Sequence, residues 1–238
     1  MSIMDDSKAN SAYHFTPGRA DTRFDTVIGL GQFEGDWTKE LKEVIRQSHP
    51  TTLANRGKTS RGEMPPPPPL EEGQRTNQEI EKEFFDTTTL DYNRYPIINK
   101  SLGVGPTLMK MIKAFKLAAP WNYTVHVQHT GQVFPYHFDF FHNSNAFLEV
   151  PKEKIIRVMI MLTDWEPGHM MGYGNFQHTN WQAGDFHTFY HDQVPHYSAN
   201  ASYNPRVNIM LTGIRTEETE QFFWKARTSK TIKVDELE

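Results

Sequence analysis

The 238-residue chain contains no cysteine. That excludes disulfides, thiolate nucleophiles and thiolate-held zinc or iron–sulfur clusters, so any metal here takes nitrogen and oxygen ligands. Long apolar runs are missing as well. Nothing approaches the roughly 18 apolar residues of a membrane span, and the start, Met-Ser-Ile-Met-Asp-Asp-Ser-Lys, has no apolar stretch behind a basic flank. The expectation is a cytoplasmic protein with no membrane partner. Charge of one sign is also scarce: Lys+Arg 25 against Asp+Glu 29 leaves −4, which gives no general attraction to nucleic acid. The hydrophobic share is a modest 37%, but aromatics make up 13% of the chain and supply core bulk in large pieces. No internal repeat is visible, and the length suits one substantial core.

What the chain has in excess is histidine. Of 11 histidines, His126, His129, His137, His142, His169, His178, His187, His191 and His196 all fall in one stretch. The texture changes at its border. Residues 1–118 read as helices and loops: a polar start to about residue 25, a helix capped by Asp36 with Trp37, Leu41, Val44 and Ile45 on one face, and a loop over 48–76 holding the run Pro65 to Pro69. A short helix is read near 77–85. A better one opens at Pro106, with Leu108, Met111, Ile112 and Phe115 apolar and Lys110, Lys113 and Lys116 cationic. Residues 119–215 form short β-branched and aromatic runs broken by Gly, Pro, Asn and Asp. Strands are read near 123–129, 136–141, 155–162, 172–177, 185–191, 194–198 and 206–213, which predicts a mainly β jelly roll or barrel. Residues 216–238 are charged and read as a return strand or tail.

Within Gly131-Gln-Val-Phe-Pro-Tyr-His137-Phe-Asp139, the His and the Asp stand two apart, so on a strand they share a face and can chelate one ion. His196 stands near the start of a later strand. Two imidazoles and one carboxylate on one side of a metal leave the other positions open, as in non-haem Fe(II) oxygenases. Ten residues on, Arg206 opens an apolar strand. A cation there is costly unless it meets an anion, and the guanidinium fork suits a carboxylate.

At these residues the chain resembles the 2-oxoglutarate/Fe(II)-dependent dioxygenases, through His137-x-Asp139, the distal His196 and Arg206 ten residues later. The stretch before His137 is similar to one in the prolyl-hydroxylase-like branch. Trp181-Gln-Ala-Gly-Asp and His196-Tyr-Ser-Ala-Asn resemble the aspartyl/asparaginyl-hydroxylase-like branch. The resemblance covers about 121–214. It implies a double-stranded β-helix (jelly roll) with flanking, mostly N-terminal α-helices. It also implies Fe(II) held by His137, Asp139 and His196, 2-oxoglutarate met by Arg206, and O2 as oxidant. Where many relatives place a cosubstrate-binding Tyr this chain has Gln128, with His126 two residues earlier on the same face, so these two are the substitute donors. The implied reaction hydroxylates an unactivated C–H of an amino acid, peptide side chain or small metabolite, with succinate and CO2 as coproducts.

Candidates for contact with that small-molecule or peptide substrate are Arg157, Phe141, Trp181, Tyr173 and Asn175. Arg157 has a second reading as a sheet-spanning structural ion pair, and Trp181 and Tyr173 one as core packing. Two other functions fit the same residues: a non-oxidative cupin-like metalloprotein, isomerase or hydrolase, in which Arg206 meets no 2-oxoglutarate, and a ligand-sensing module. The sequence carries no sign of oligomeric state.

Overall fold

The computed structural model describes residues 27–48, 103–137, 139, 150–174, 176–191 and 193–238, with the backbone of four short strands at 51–52, 61–63, 96–97 and 99–101. The first 25 residues, most of the 48–76 loop with its proline run, the helix read at 77–85, and the candidates Phe141 and Asn175 lie outside the described residues. In chain order the elements are β1 (Val27–Glu34), α1 (Thr38–Gln47), β2 (Thr51–Thr52), β3 (Arg61–Glu63), β4 (Pro96–Ile97), β5 (Asn99–Ser101) and α2 (Pro106–Lys113). There follow β6 (Ala118–Gln128), β7 (Val133–His137), β8 (Ile155–Met161), β9 (His169–Tyr173), β10 (Phe176–His178), β11 (Asp185–Phe189), β12 (His196–Asn200), β13 (Arg206–Ile214), α3 (Glu217–Ser229) and β14 (Thr231–Lys233).

The strands make two sheets. The larger runs β14-β1-β11-β8-β13-β6-β3, with β5 also on β6, and the smaller runs β10-β9-β12-β7-β4-β2. From β6 to β13 the chain visits the larger sheet at β6, β8, β11 and β13 and the smaller at β7, β9, β10 and β12. Every pairing among those eight is antiparallel. This winding is a double-stranded β-helix, and the chain is mainly β as its sequence predicts.

Strand parity divides the larger sheet into two unlike faces. Tyr123, Val125 and Val127 of β6, Ile156, Val158 and Ile160 of β8, Phe186 of β11, and Val207, Ile209 and Leu211 of β13 join one apolar cluster with the helices. That cluster takes Val44 from α1, Leu108, Met111 and Ile112 from α2, and Phe223 and Ala226 from α3. The alternate residues face the smaller sheet, and many are polar and buried: Gln128, His126, Arg157, His187, Arg206, Asn208 and Thr212. Apolar burial, the main source of folding free energy, is thus concentrated on the helix side. The space between the sheets is shared by these polar groups and a smaller apolar cluster that includes Met159, Met161, Met171, Trp181 and Phe189.

The helices form where local signals place them. Asp36 Oδ1 accepts the Thr38 N–H at 2.9 Å, and α2 begins at Pro106 with no side-chain cap of its own. Glu40 of α1 supplies that cap instead, accepting from the Thr107 and Leu108 amides at 2.8 and 3.0 Å. The 216–238 reading needs correction. Most of this segment is α3, opened by a reciprocal Thr216–Thr219 capping box, and only Thr231–Lys233 forms a strand, parallel to β1. Its charges hide Phe222, Phe223 and Ala226, whose spacing suits a helix face packed on the core. A second correction concerns 172–177, where Gly174 (φ 60°) breaks the run into the β9–β10 hairpin.

The strand β1 was not expected, because Gly29 and Gly31 interrupt its apolar pattern. Its pairing with β11 supplies what propensity does not. The turn into β11 depends on Gly184, at φ 93°. A side-chain carbon there would stand 2.1 Å from the Phe33 carbonyl oxygen, so only glycine lets β1 approach. Among the described residues no helix is long and apolar enough to cross a membrane.

Candidate metal centre

His137 ends β7 and His196 begins β12, and the two are directly opposite in the ladder. Their rings lie 4.2 Å apart, centroid to centroid. Asp139 follows two residues after His137 and is fixed by its backbone amide, which donates to the His191 carbonyl at 3.0 Å. The carboxylate comes within 3.1 Å of His196 Nε2 and 3.6 Å of His137 Nε2. One ligand atom from each residue fits within 4.8 Å of the others.

The far side of each ring is tied to the backbone. His137 Nδ1 meets the Pro135 carbonyl at 2.8 Å and His196 Nδ1 the Val194 carbonyl at 3.2 Å. A carbonyl only accepts, so each Nδ1 carries the proton and each Nε2 keeps its lone pair toward Asp139. Burial, reinforced by Arg157, pushes His196 down to about 3, so the imidazole is neutral at pH 7. With metal–ligand bonds of about 2.1 Å, adjacent octahedral ligands stand about 3 Å apart, close to the His196–Asp139 separation. The donor set and its tautomers therefore fit a divalent ion of the iron or zinc type.

Arg157, on β8, reaches across from the larger sheet. Its Nη1 forms an ion pair with Asp139 Oδ2, and its Nε donates to Thr212 Oγ1 at 3.1 Å. Burial pushes the guanidinium down to about 9, still protonated at pH 7. Of its two expected roles, the structural ion pair is the one seen, and the partner is the carboxylate of the His-Asp-His group.

Deeper between the sheets lies Arg206, 1% exposed. Its Nε and Nη2 both donate to Gln128 Oε1, at 2.9 and 2.7 Å, across the β13–β6 register pair Arg206–Gln128. The Gln128 amide nitrogen in turn donates to the Gln132 carbonyl. The Gln128 side chain is thus occupied in orienting Arg206. Arg206 Nη1 is buried with no hydrogen-bond partner, and among the described residues no carboxylate stands within ion-pair distance of the guanidinium. Burial pushes its pKa down to about 10, with Tyr173 acting in the opposite direction.

Tyr173 connects the two ends of this interior. It lies opposite His196 in the β12–β9 ladder, and Arg206 is close enough to influence its titration. Its hydroxyl meets His187 Nε2 at 2.8 Å. Burial, with His178 and Arg206 nearby, pushes His187 well below its ordinary range. Trp181 packs with Met159, Met161, Met171 and Phe189, stacks on His178 at 5.3 Å and donates its indole N–H to the Thr163 carbonyl. His126 sits opposite Asn208 on the interior face. Asn208 itself was missed by sequence reasoning. It is fully buried, and neither its amide nitrogen nor its amide oxygen has a partner. The signal was available: a polar residue on the Arg206 parity of an otherwise apolar strand.

These buried neutral histidines set an acid limit on stability. His187, His191 and His196 all have folded values below the ordinary 6.5, His191 down to about 2 chiefly by burial. The unfolded chain therefore binds more protons as pH falls through 6.5, and stability must fall with it. Urea unfolding of the metal-free protein should show a loss of about 1 kcal/mol per such histidine between pH 7.5 and 5.5. A flat profile over that window would contradict the burial described here.

No protein-family model and no curated protein matches the chain. Solved structures do. A Pseudomonas putida prolyl-4-hydroxylase matches at 15% identity over 74% of this chain and 99% of its own, with a TM-score of 0.39. A non-heme monooxygenase, ThoJ, in a nickel complex matches at 17% identity, with a TM-score of 0.32 over 45% of this chain and 62% of its own. A cupin 2 conserved barrel domain protein from Salinispora arenicola matches at 13% identity over 59% and 91%, with a TM-score of 0.30.

Proposed function

We propose that the protein is a non-haem Fe(II), 2-oxoglutarate-dependent oxygenase that hydroxylates an unactivated C–H of an amino acid, peptide side chain or small metabolite. The observation that carries this reading is Arg206: a buried guanidinium with one nitrogen unpartnered, on the interior face of the same β-helix that brings His137, Asp139 and His196 together. A cation kept there with no carboxylate near it among the described residues is costly unless a ligand supplies the anion. A non-oxidative cupin-like metalloprotein gives Arg206 no 2-oxoglutarate to meet.

In this reading His137, Asp139 and His196 hold the metal, and Arg206 Nη1 takes the far carboxylate of 2-oxoglutarate. Gln128 fixes the plane of the Arg206 fork, and the Asn208 amide, buried without a partner on the same face of β13, would offer a further hydrogen bond. Bound iron supplies the dioxygen chemistry that no side chain provides. The polypeptide controls placement, charge and access of water.

The test is succinate formation by the purified protein with Fe(II), 2-oxoglutarate and O2, scored with and without candidate substrates because uncoupled turnover also counts. Succinate that depends on all three is expected. Metal-loaded protein that never consumes 2-oxoglutarate would overturn the proposal.

A further inference from the structure

Asp139 is the one member of the His-Asp-His group that lies beyond its strand, so its side chain is not held by the ladder that fixes the two histidines. A carboxylate on such a segment can turn about its own bonds and present one oxygen or two to a metal. Two contacts restrict it, and a third holds one of the partners. The backbone amide is bonded to the His191 carbonyl, and Oδ2 is paired with Arg157. Arg157 is itself held by the buried Thr212 hydroxyl, directly across the β13–β8 ladder. Arg157 and Thr212 belong to the larger sheet and His137 and His196 to the smaller, so the carboxylate is positioned from the opposite wall.

We infer that Arg157, anchored by Thr212, is a positioning residue for the metal-binding carboxylate: by pairing with Oδ2, the oxygen that also faces His196, it holds Asp139 in a fixed orientation toward the metal. This rests on the metal-site reading above. Outer partners of metal ligands commonly contribute 10–100-fold in metal affinity by fixing ligand orientation. Arginine suits the task because its fork reaches Thr212 and Asp139 at once, which the point charge of lysine does not.

Cobalt(II) titration of the full chain, followed by calorimetry and by the visible ligand-field spectrum, separates this inference from the metal-site reading. Arg157→Met should weaken Co(II) binding at least tenfold and change band intensity as the carboxylate reorients. Arg157→Lys should recover part of the affinity but not the spectrum. Thr212→Val, which keeps the charge and removes only the anchor, should weaken binding by about threefold with the same spectral trend. This milder variant keeps the test open should Arg157→Met fail to fold. Wild-type affinity and spectrum in the Arg157→Met or Thr212→Val protein would overturn the positioning role while leaving the metal site standing. A wild-type protein that binds no Co(II) would overturn both.

Discussion

Replacing Asp139 by alanine is expected to lower succinate formation by about a thousandfold or more, the equivalent of roughly 4 kcal/mol of lost metal-centred stabilisation. The substitution removes the only anionic donor of the group. His137 and His196 then face a divalent ion as two neutral ligands and lose the charge that offsets it. There is a second consequence, because Asp139 also pairs with the buried Arg157. Stranding that guanidinium should destabilise the protein by about 3–5 kcal/mol, so a loss of activity alone would be ambiguous. Asp139→Ala combined with Arg157→Met removes both charges and should regain much of the stability without regaining turnover. Metal content, thermal unfolding and succinate measured on the three proteins separate the effects. An Asp139→Ala protein that folds and turns over 2-oxoglutarate at the wild-type rate would exclude the carboxylate from the metal site.

Arg206→Met is expected to act on a different parameter. Its side chain fills similar space without charge, so the metal ligands should stay in place while the cosubstrate loses its counter-ion. Hydrogen bonds to charged groups contribute about 1.5–3 kcal/mol each, which predicts a rise in KM for 2-oxoglutarate of about a hundredfold. Co(II) affinity should stay close to wild type. The substitution also leaves Gln128 Oε1, which now accepts twice from Arg206, without a donor, so some loss of stability accompanies it. An Arg206→Met protein with unchanged KM would mean that the orphaned nitrogen meets no cosubstrate, and would favour the cupin-like alternative.

The contrast between Asp139 and Gln128 shows how far sequence carried the site. Strand period led to the expectation that His137 and Asp139 share a face of a strand over 136–141; the structure ends β7 at His137 and places Asp139 instead through its amide bond to the His191 carbonyl. The meeting with His196 was suggested by the motif, and the β7–β12 ladder sets His137 opposite His196 while Asp139 joins them from the segment after β7. The expected jelly roll followed from the rhythm of short strands. Gln128 was read as a cosubstrate donor because it stands where relatives of the resembled family place a Tyr; its neighbour across the ladder is Arg206, and register across distant strands is not written in either strand alone. Arg157 posed the same problem: a buried arginine announces a partner without saying which. Sequence missed β1 because its glycines lower intrinsic strand preference, whereas β11 and β14 stabilise it from outside. It misread α3 because three apolar side chains at helical spacing were outnumbered by charge.

The two-faced larger sheet has an evolutionary consequence. Val207, Ile209 and Leu211 bind β13 to the helices, while Arg206, Asn208 and Thr212 alternate with them toward the interior. On the proposed function, heritable changes at the second set would alter ligand choice with little disturbance of the first, since the two are separated by the thickness of one sheet. Adaptation to a new substrate and retention of a foldable chain are thereby assigned to alternate letters of the same short word, Arg-Val-Asn-Ile-Met-Leu-Thr.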